Sequence, residues 1–448
     1  MDRHEADHGA LKDQQISRRS LLRGVGAGTL AMGAGGILSA CSSGLKGAGS
    51  GATGTITIGF ITPLTGALAG FASGDKYVLD QIKQSSVYKN GIKIGGKTYK
   101  IDIVVQDSQS DPTRAGQVAQ QLILQNHADL ILTTSTPETT NPVASACEKL
   151  QTPCLSTVVP WESWYAGLGG NPVSPTQTFK YCTTFFFGLK EFQGCFAPMW
   201  NRVHTNKVVA CQYPKDADGT AFREGFEPLI QQAGYKVVDG GAYQDLTTDF
   251  SSMISLFKNK GCEVFSNCPI PPDFNTFWKQ ASQQGFKPKI ATVAKVLLFP
   301  ADIVALGDLV NNVATDSWWG PYMPNTSSLT GISAKALADG YQQATGNQWV
   351  QSIGSSYSLF EVAKEAFGAV SDPHDKTEVA SALHNVNYTG MCGSLNFAAG
   401  PAPGVGIIQP VGVQWKKSTG QFPFEMTVVD NSLNSNVQVQ ANLEPTNA

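Results

Sequence analysis

From Thr55 onward, short apolar and β-branched runs alternate with longer amphipathic stretches, and this strand and helix rhythm constrains the fold more than any other feature of the chain. Residues 55–61 read as a strand, 72–84 as a helix and 99–105 as a period-two strand. Asp111 and Pro112 then open a helix as N-cap and first-turn residue, with Ala115, Val118, Ala119, Leu122 and Ile123 forming one apolar stripe. A buried strand over 130–132, a helix over 142–150 and a strand over 154–157 complete one open α/β lobe.

The rhythm breaks once and restarts. A helix over 188–203 precedes a strand over 207–211, a helix ending at Gly234 and a strand over 235–238. Helices that stop before Gly261 and Gly285 are each followed by strands, 263–265 and 289–292, because glycine accepts the left-handed cap conformation. Beyond Trp318 and Trp319 the chain reads helical over 333–344, 356–370 and 376–385, then ends with strands over 394–397 and 411–415. About 400 residues exceed one ordinary core, so two lobes are expected.

Ahead of the rhythm lies a segment with a different task. Arg18 and Arg19 resemble the paired arginines of a twin-arginine export signal, and an uncharged run over 24–40 follows. That run is too rich in glycine and alanine to make a strong membrane span. Leu38, Ser39, Ala40 and Cys41 read as a lipobox, so residues 1–40 are expected to be removed as a signal peptide and Cys41 to carry lipid. Residues 41–54, rich in serine and glycine, read as a flexible tether.

Net charge is −3 and charged residues make up 15%, against roughly 25% in average domains, so nothing points to a nucleic-acid partner. Beyond Cys41 the cysteines are Cys147, Cys154, Cys182, Cys195, Cys211, Cys262, Cys268 and Cys392, without the paired spacing of zinc or redox sites. Disulfides are not assignable from this spacing. Cys262 and Cys268 bracket an apolar run and, if that run is extended, stand about 20 Å apart, too far to bond to each other.

Enzyme motifs fail on context. Gly91, Gly96, Lys97 and Thr98 satisfy the phosphate-loop formula, but that chemistry needs a strand before the loop and a helix after it. Here residues 92–94, the turn at Gly95 and Gly96, and 98–105 read as a hairpin. The histidines beyond the leader are His127, His204, His374 and His384, with neither a serine-hydrolase elbow nor a zinc-protease pair around them. Asp216, Asp218 and Gly219 echo a calcium loop, yet Pro214 occupies the place of its first carboxylate. No metal, no cofactor and no catalytic residue is therefore expected.

Three stretches carry a family resemblance: Ile58, Gly59, Phe60, Ile61, Thr62, Pro63, Leu64, Thr65 and Gly66; Val104, Val105, Gln106 and Asp107; and Gly393, Ser394, Leu395, Asn396 and Phe397. With the order of elements and the leader, the chain from 55 to about 429 resembles the branched-chain amino-acid binding proteins of ABC importers. The resemblance implies a type I periplasmic-binding fold, an α/β architecture of two open doubly wound lobes joined by a hinge of three crossovers. These would fall near Lys180, near Pro321 and between Phe397 and Ile407. Lobe I would then comprise 55–180 and 322–398, lobe II 181–321 and 399–430, and 431–448 a C-terminal tail.

A cleft between the lobes also follows from elementary geometry, because loops at the carboxyl ends of parallel strands line a crevice where helix N-termini meet anions. Thr134, Ser135 and Thr136 leave such a strand, either to hold a ligand carboxylate or merely to cap the next helix. The second family loop maps to Thr157, Val158, Val159, Pro160 and Trp161, and Phe71 matches an aromatic wall; Phe71 and Trp161, with Trp164 and Tyr165, suit a flat or apolar ligand, or else belong to the core. On the second lobe Tyr213, Asp218 and Ile270 complete the candidate set, although Asp218 also suits a helix cap. The family's ammonium-binding glutamate aligns near Ala294 or Lys295, which leaves no negative partner for an amino group and offers Lys295 to a carboxylate, unless it is plain surface charge. Trp319 and Tyr322, beside Trp318, stand at the second crossover.

The expectation is thus an extracytoplasmic, monomeric lipoprotein that captures a small carboxylate-bearing organic solute, an amino acid or an aromatic or aliphatic acid but not a standard branched-chain amino acid. Its partners would be permease and ATPase subunits of an importer and, through Cys41, the membrane. A ligand sensor that regulates another protein through the same fold is the alternative.

Overall fold

The computed structural model describes residues 52–446, so the leader and the lipobox with Cys41 lie outside the described residues. Two seven-stranded sheets organise the rest. In the first, the order runs Val405–Gly406, Cys182–Phe185, Cys154–Thr157, Leu130–Thr133, Ala52–Thr62, Lys97–Asp107, Ile92–Ile94. In the second it runs Phe424–Asp430, Val411–Lys417, Ala314–Ser317, Ile290–Val293, Val264–Asn267, Val208–Pro214, Lys236–Tyr243.

Both sheets are mixed. In the first, the pairings are parallel except at Ile92–Ile94, which pairs antiparallel with Lys97–Asp107. That hairpin turns at Gly95 and Gly96, both with positive φ, 55° and 79°. A primed two-residue turn requires such angles at both central residues, which disposes of the phosphate-loop formula at this spot. In the second sheet the last two strands run antiparallel, Val411–Lys417 against both Ala314–Ser317 and Phe424–Asp430.

Strand order reverses at one place in each sheet. Ala52–Thr62 lies between Lys97–Asp107 and Leu130–Thr133, and Val208–Pro214 lies between Lys236–Tyr243 and Val264–Asn267. Connections on either side of such a switch point diverge to opposite faces and leave a crevice beyond the strands' carboxyl ends. The candidate site is built from the loops that follow these strands.

The hinge differs from its expected position. Cys182–Phe185 pairs with Cys154–Thr157, and Val405–Gly406 pairs with Cys182–Phe185, so both belong to the first sheet and not to lobe II. The chain therefore leaves the first sheet after Phe185 and again after Gly406, and leaves the second after Ser317. The physical reason is that Cys182–Phe185 follows an irregular connection rather than a helix, so no change of period marks it as the next strand of the same sheet.

Elsewhere the patterns translate directly into elements. Asp111 caps the helix Pro112–Leu124 by accepting the Arg114 amide at 2.7 Å, and Ala115, Val118, Ala119, Leu122 and Ile123 are buried along it. Lobe I also buries Asp75, which accepts the hydroxyls of Thr62 at 2.6 Å and Ser356 at 2.7 Å and so ties the helix Asp75–Gln84 to Ser352–Gly368. The last segment runs against the second sheet, where Thr446 Oγ1 accepts the Ala291 amide at 3.0 Å and Gln414 Nε2 donates to the Glu444 carbonyl at 2.7 Å. The eight described cysteines are all buried, and none of them forms a disulfide with another.

Candidate functional site

Three connections bring a cluster of charged side chains to the crevice. After Leu130–Thr133 come Thr134, Ser135 and Thr136, all buried, and the helix Pro137–Lys149 then presents Glu138 in its first turn. After Val208–Pro214 the chain makes a tight turn into Ala217–Ala221, capped by Asp216, whose carboxylate accepts the Gly219 amide at 2.6 Å. Gly219 permits this closeness, because a Cβ there would stand 2.1 Å from the Pro214 carbonyl oxygen. After Ile290–Val293 comes Lys295, held at φ 69°, a region that costs a non-glycine residue on the order of 1 kcal/mol or more.

These pieces converge on Lys295. Its ammonium lies 2.9 Å from Asp218 Oδ2, 3.2 Å from Asp216 Oδ2 and 3.4 Å from Glu138 Oε1. The three carboxylates lie within 4.8 Å of one another, a spacing that can hold a metal ion, but the ammonium already meets all three. Burial pushes the Asp218 carboxyl up to about 7 against the pull of Lys295, and it raises Asp216 as well. For Glu138 burial is outweighed by the ammonium and the Thr136 hydroxyl, which hold it below its usual range. Burial works against the charged lysine too, yet its carboxylate neighbours keep it well above the ordinary value.

Lys295 is therefore not available to a ligand carboxylate in the way its position in the sequence implied. An ammonium with three donors, each aimed at a carboxylate, has no further proton to give. Glu138 belongs to lobe I and the other members to lobe II, so the cluster is also a latch between the lobes. Three further contacts cross beside it: Ser163 Oγ donates to Asp218 Oδ1 at 3.2 Å, the Leu189 amide donates to Glu162 Oε1 at 2.9 Å, and Phe71 meets Phe299 edge-on at 4.7 Å.

Behind the latch lies a cavity of about 30 Å³. That is room for a water molecule or two and not for a metabolite, so a molecule of amino-acid size would fit there only if the lobes parted. Phe71, Thr136, Asp218 and Lys295 of the expected set line it. Val158 and Pro160 of the second family loop and Trp318 of the second crossover line it too, and the remaining wall comes from residues the sequence did not single out, chiefly Phe186, Phe192, Leu298 and Asp316. Phe186 and Trp318, with ring centres 5.0 Å apart, sit immediately after Cys182–Phe185 and Ala314–Ser317, where two of the hinge crossings begin. Locating Phe186 from sequence required the right end for the first crossing.

Other expected residues stand elsewhere. Thr134 and Ser135 are next to the cavity in sequence, and their buried hydroxyls have no hydrogen-bond partner among the described residues. Val159 is buried in the lobe I core while its neighbours Val158 and Pro160 face the cavity, an exchange produced by the turn at Val158, φ 56°. Trp161 begins a helix, Trp161–Gly167, and lines an outer groove of about 640 Å³ with Ala166 and Val173 of lobe I and Leu189, Ala221 and Leu229 of lobe II. Tyr213 packs on Phe222 at 5.6 Å inside lobe II, and Ile270 is buried ahead of the helix Pro271–Gln283. Trp319 is turned away against Trp349 at 6.1 Å, and the Tyr322 hydroxyl pairs with Ser317 Oγ at 2.5 Å. Successive residues leaving a strand face opposite ways, and of the two tryptophans it is Trp318 that reaches the cavity.

Asp316 corrects the expectation that a negative partner for an amino group is missing. It is buried, it lines the cavity, and its side-chain partner is the hydroxyl of Thr315 at 3.3 Å. The sequence signal was slight: a single acidic residue among Ala314, Thr315 and Ser317 in a strand of four residues.

The architecture has known counterparts. The family described as periplasmic binding protein matches residues 55–412. A curated relative, Leu/Ile/Val-binding protein homolog 8 of Brucella abortus, is 26% identical over 176 residues, 39% of this chain and 42% of the relative, so the match spans under half of that relative's length. Among solved structures, the leucine-binding protein LivK of Thermotoga maritima superposes with a TM-score of 0.66 at 19% identity, covering 83% of this chain and 98% of that one. A solute-binding protein of an ABC transporter from R. palustris, in complex with 4-hydroxybenzoate, gives 0.67 at 17% identity over 84% and 96%. The substrate-binding protein LivJ of Streptococcus pneumoniae, in complex with isoleucine, gives 0.63 at 17% over 87% and 99%. At these identities the likeness concerns the fold.

Proposed function

Since the chain belongs to the periplasmic binding protein family, we propose that it is the extracytoplasmic solute-binding lipoprotein of an ABC importer. It captures a small organic solute between its lobes and delivers it, as a monomer, to permease and ATPase subunits. The observation that carries this reading is the pair of facing sheets whose strand-end loops converge on one cavity, with latch contacts joining the lobes across it. The twin-arginine and lipobox sequences around Arg18, Arg19 and Cys41 support export and lipid anchoring, and among the described residues no helix is long and apolar enough to cross a membrane.

The solute has an apolar or aromatic body, for which Phe71, Phe186, Phe192, Leu298 and Trp318 supply the walls. A carboxylate on it would meet the hydroxyls of Thr134, Ser135 and Thr136 at the start of the helix Pro137–Lys149, since Lys295 is already saturated. Micromolar capture needs about 8 kcal/mol, and aromatic contacts supply roughly 0.5–1.5 kcal/mol each beyond buried area, so closure around charge-assisted hydrogen bonds is part of the affinity. A thermal-shift screen against a metabolite library tests the reading, because a tight ligand raises the melting temperature by mass action. A library in which no solute shifts the transition, or one in which solutes are chemically converted, refutes it.

A further inference from the structure

The cavity's charges are unequal. Asp218 and Lys295 on its wall are already paired at 2.9 Å, and the same ammonium also serves Asp216 and Glu138. Carboxylates thus outnumber ammonium groups at this end of the site, and an incoming anion meets repulsion without a free cation to offset it. Asp316 adds a further carboxylate. Among the described residues no cation pairs with it, and its carboxyl is pushed up to about 7 by burial, opposed only by its own backbone and the Thr315 hydroxyl.

What surrounds Asp316 suits a positive guest. Phe186, Phe192 and Trp318 line the same cavity, and aromatic faces attract cations, most strongly tryptophan. Among the described residues the buried Trp318 indole N–H has no hydrogen-bond partner, so this wall also keeps a polar contact in reserve for an acceptor on the guest.

Resting on the solute-capture reading above, we propose that the interlobe site selects a solute bearing a cationic nitrogen. Asp316 is its charge partner, and the rings of Phe186 and Trp318 flank it. The solute class is an amine with an apolar or aromatic body, and acids that lack a cationic nitrogen are disfavoured. The role falls to the end of the strand Ala314–Ser317, a different connection from the one that carries Lys295.

Titration calorimetry of the full chain with matched probes decides the matter: phenethylamine against 3-phenylpropionate, isopentylamine against 4-methylpentanoate, and phenylalanine and leucine against their N-acetyl forms. The amine of each pair should bind about tenfold or more tightly than its uncharged or anionic counterpart, and Asp316→Asn should weaken amine binding by about 10-fold to 100-fold. Acids that bind as well as the amines overturn the inference, as does an Asp316→Asn protein whose amine affinity is unchanged. Should that variant not fold, the matched pairs on the parent chain suffice. Where none of these probes binds, the tightest ligand of the metabolite screen replaces them: one with a cationic nitrogen lost on N-acetylation supports the inference, and one without it refutes the inference alone. No ligand at all refutes solute capture with it.

Discussion

Lys295 and Asp316 are both buried and both face the same cavity, but the lysine has three opposite charges around it and the aspartate, among the described residues, has none. A buried charge whose partners are complete is part of the scaffold, and removing one member leaves the others uncompensated. A buried carboxylate without a cation is a cost that protonation or an outside positive partner relieves. The contrast separates the latch from the receptor within a single crevice, and it can be broken by experiment.

The largest effect is expected at the latch. Lys295→Ala strands three carboxylates and should destabilise the fold by about 3–5 kcal/mol, read as a lowered urea midpoint. A loss within experimental error would show that the cluster is solvated and not a latch.

Asp316→Asn should move stability the other way. Its folded carboxyl titrates near 7 against an ordinary 3.8, so the unfolded chain loses its proton first and stability falls as pH rises between about 4 and 7. The variant lacks that fall. It should match the parent at pH 4 and exceed it at pH 8 by up to ~4 kcal/mol, at 1.36 kcal/mol per pKa unit. A variant as destabilised at pH 8 as Lys295→Ala would mean that Asp316 has a partner and the contrast is false.

Smaller changes sharpen the division. Phe299→Ala removes the edge contact with Phe71 and should cost closure roughly 0.5–1.5 kcal/mol beyond the area lost. Small-angle scattering should then report a larger radius of gyration; an unchanged radius with a lower melting point would make the contact mere core. Ser163→Ala, which deletes the hydroxyl bonded to Asp218, should cost about 1 kcal/mol. Combined with Lys295→Ala it should fall short of additivity, because both act through Asp218, and strict additivity would separate the two contacts.

The lobe elements were legible because their signals are local. The stripe on Pro112–Leu124, the Asp111 cap and the Gly95 and Gly96 turn are each decided within a few residues, and all are present. Phe71, Thr136, Asp218 and Lys295 were legible as cavity neighbours for a related reason, since each closely follows a strand end on a recognisable repeat. Val159, Trp161 and Trp319 were misplaced because facing is settled by one turn of backbone, at Val158 and after Ser317, which composition does not encode.

By itself, then, the sequence determined two α/β lobes, their strand-end loops and the residues that populate them, because periodicity and turn chemistry act over short separations. Which charges meet was decided only in three dimensions. Glu138 and Lys295 stand 157 positions apart, and whether Lys295 greets a ligand or a carboxylate of its own chain depends on how two sheets come to face each other. Electrostatic partnership is a property of distance through space, and no pattern along the chain reports it.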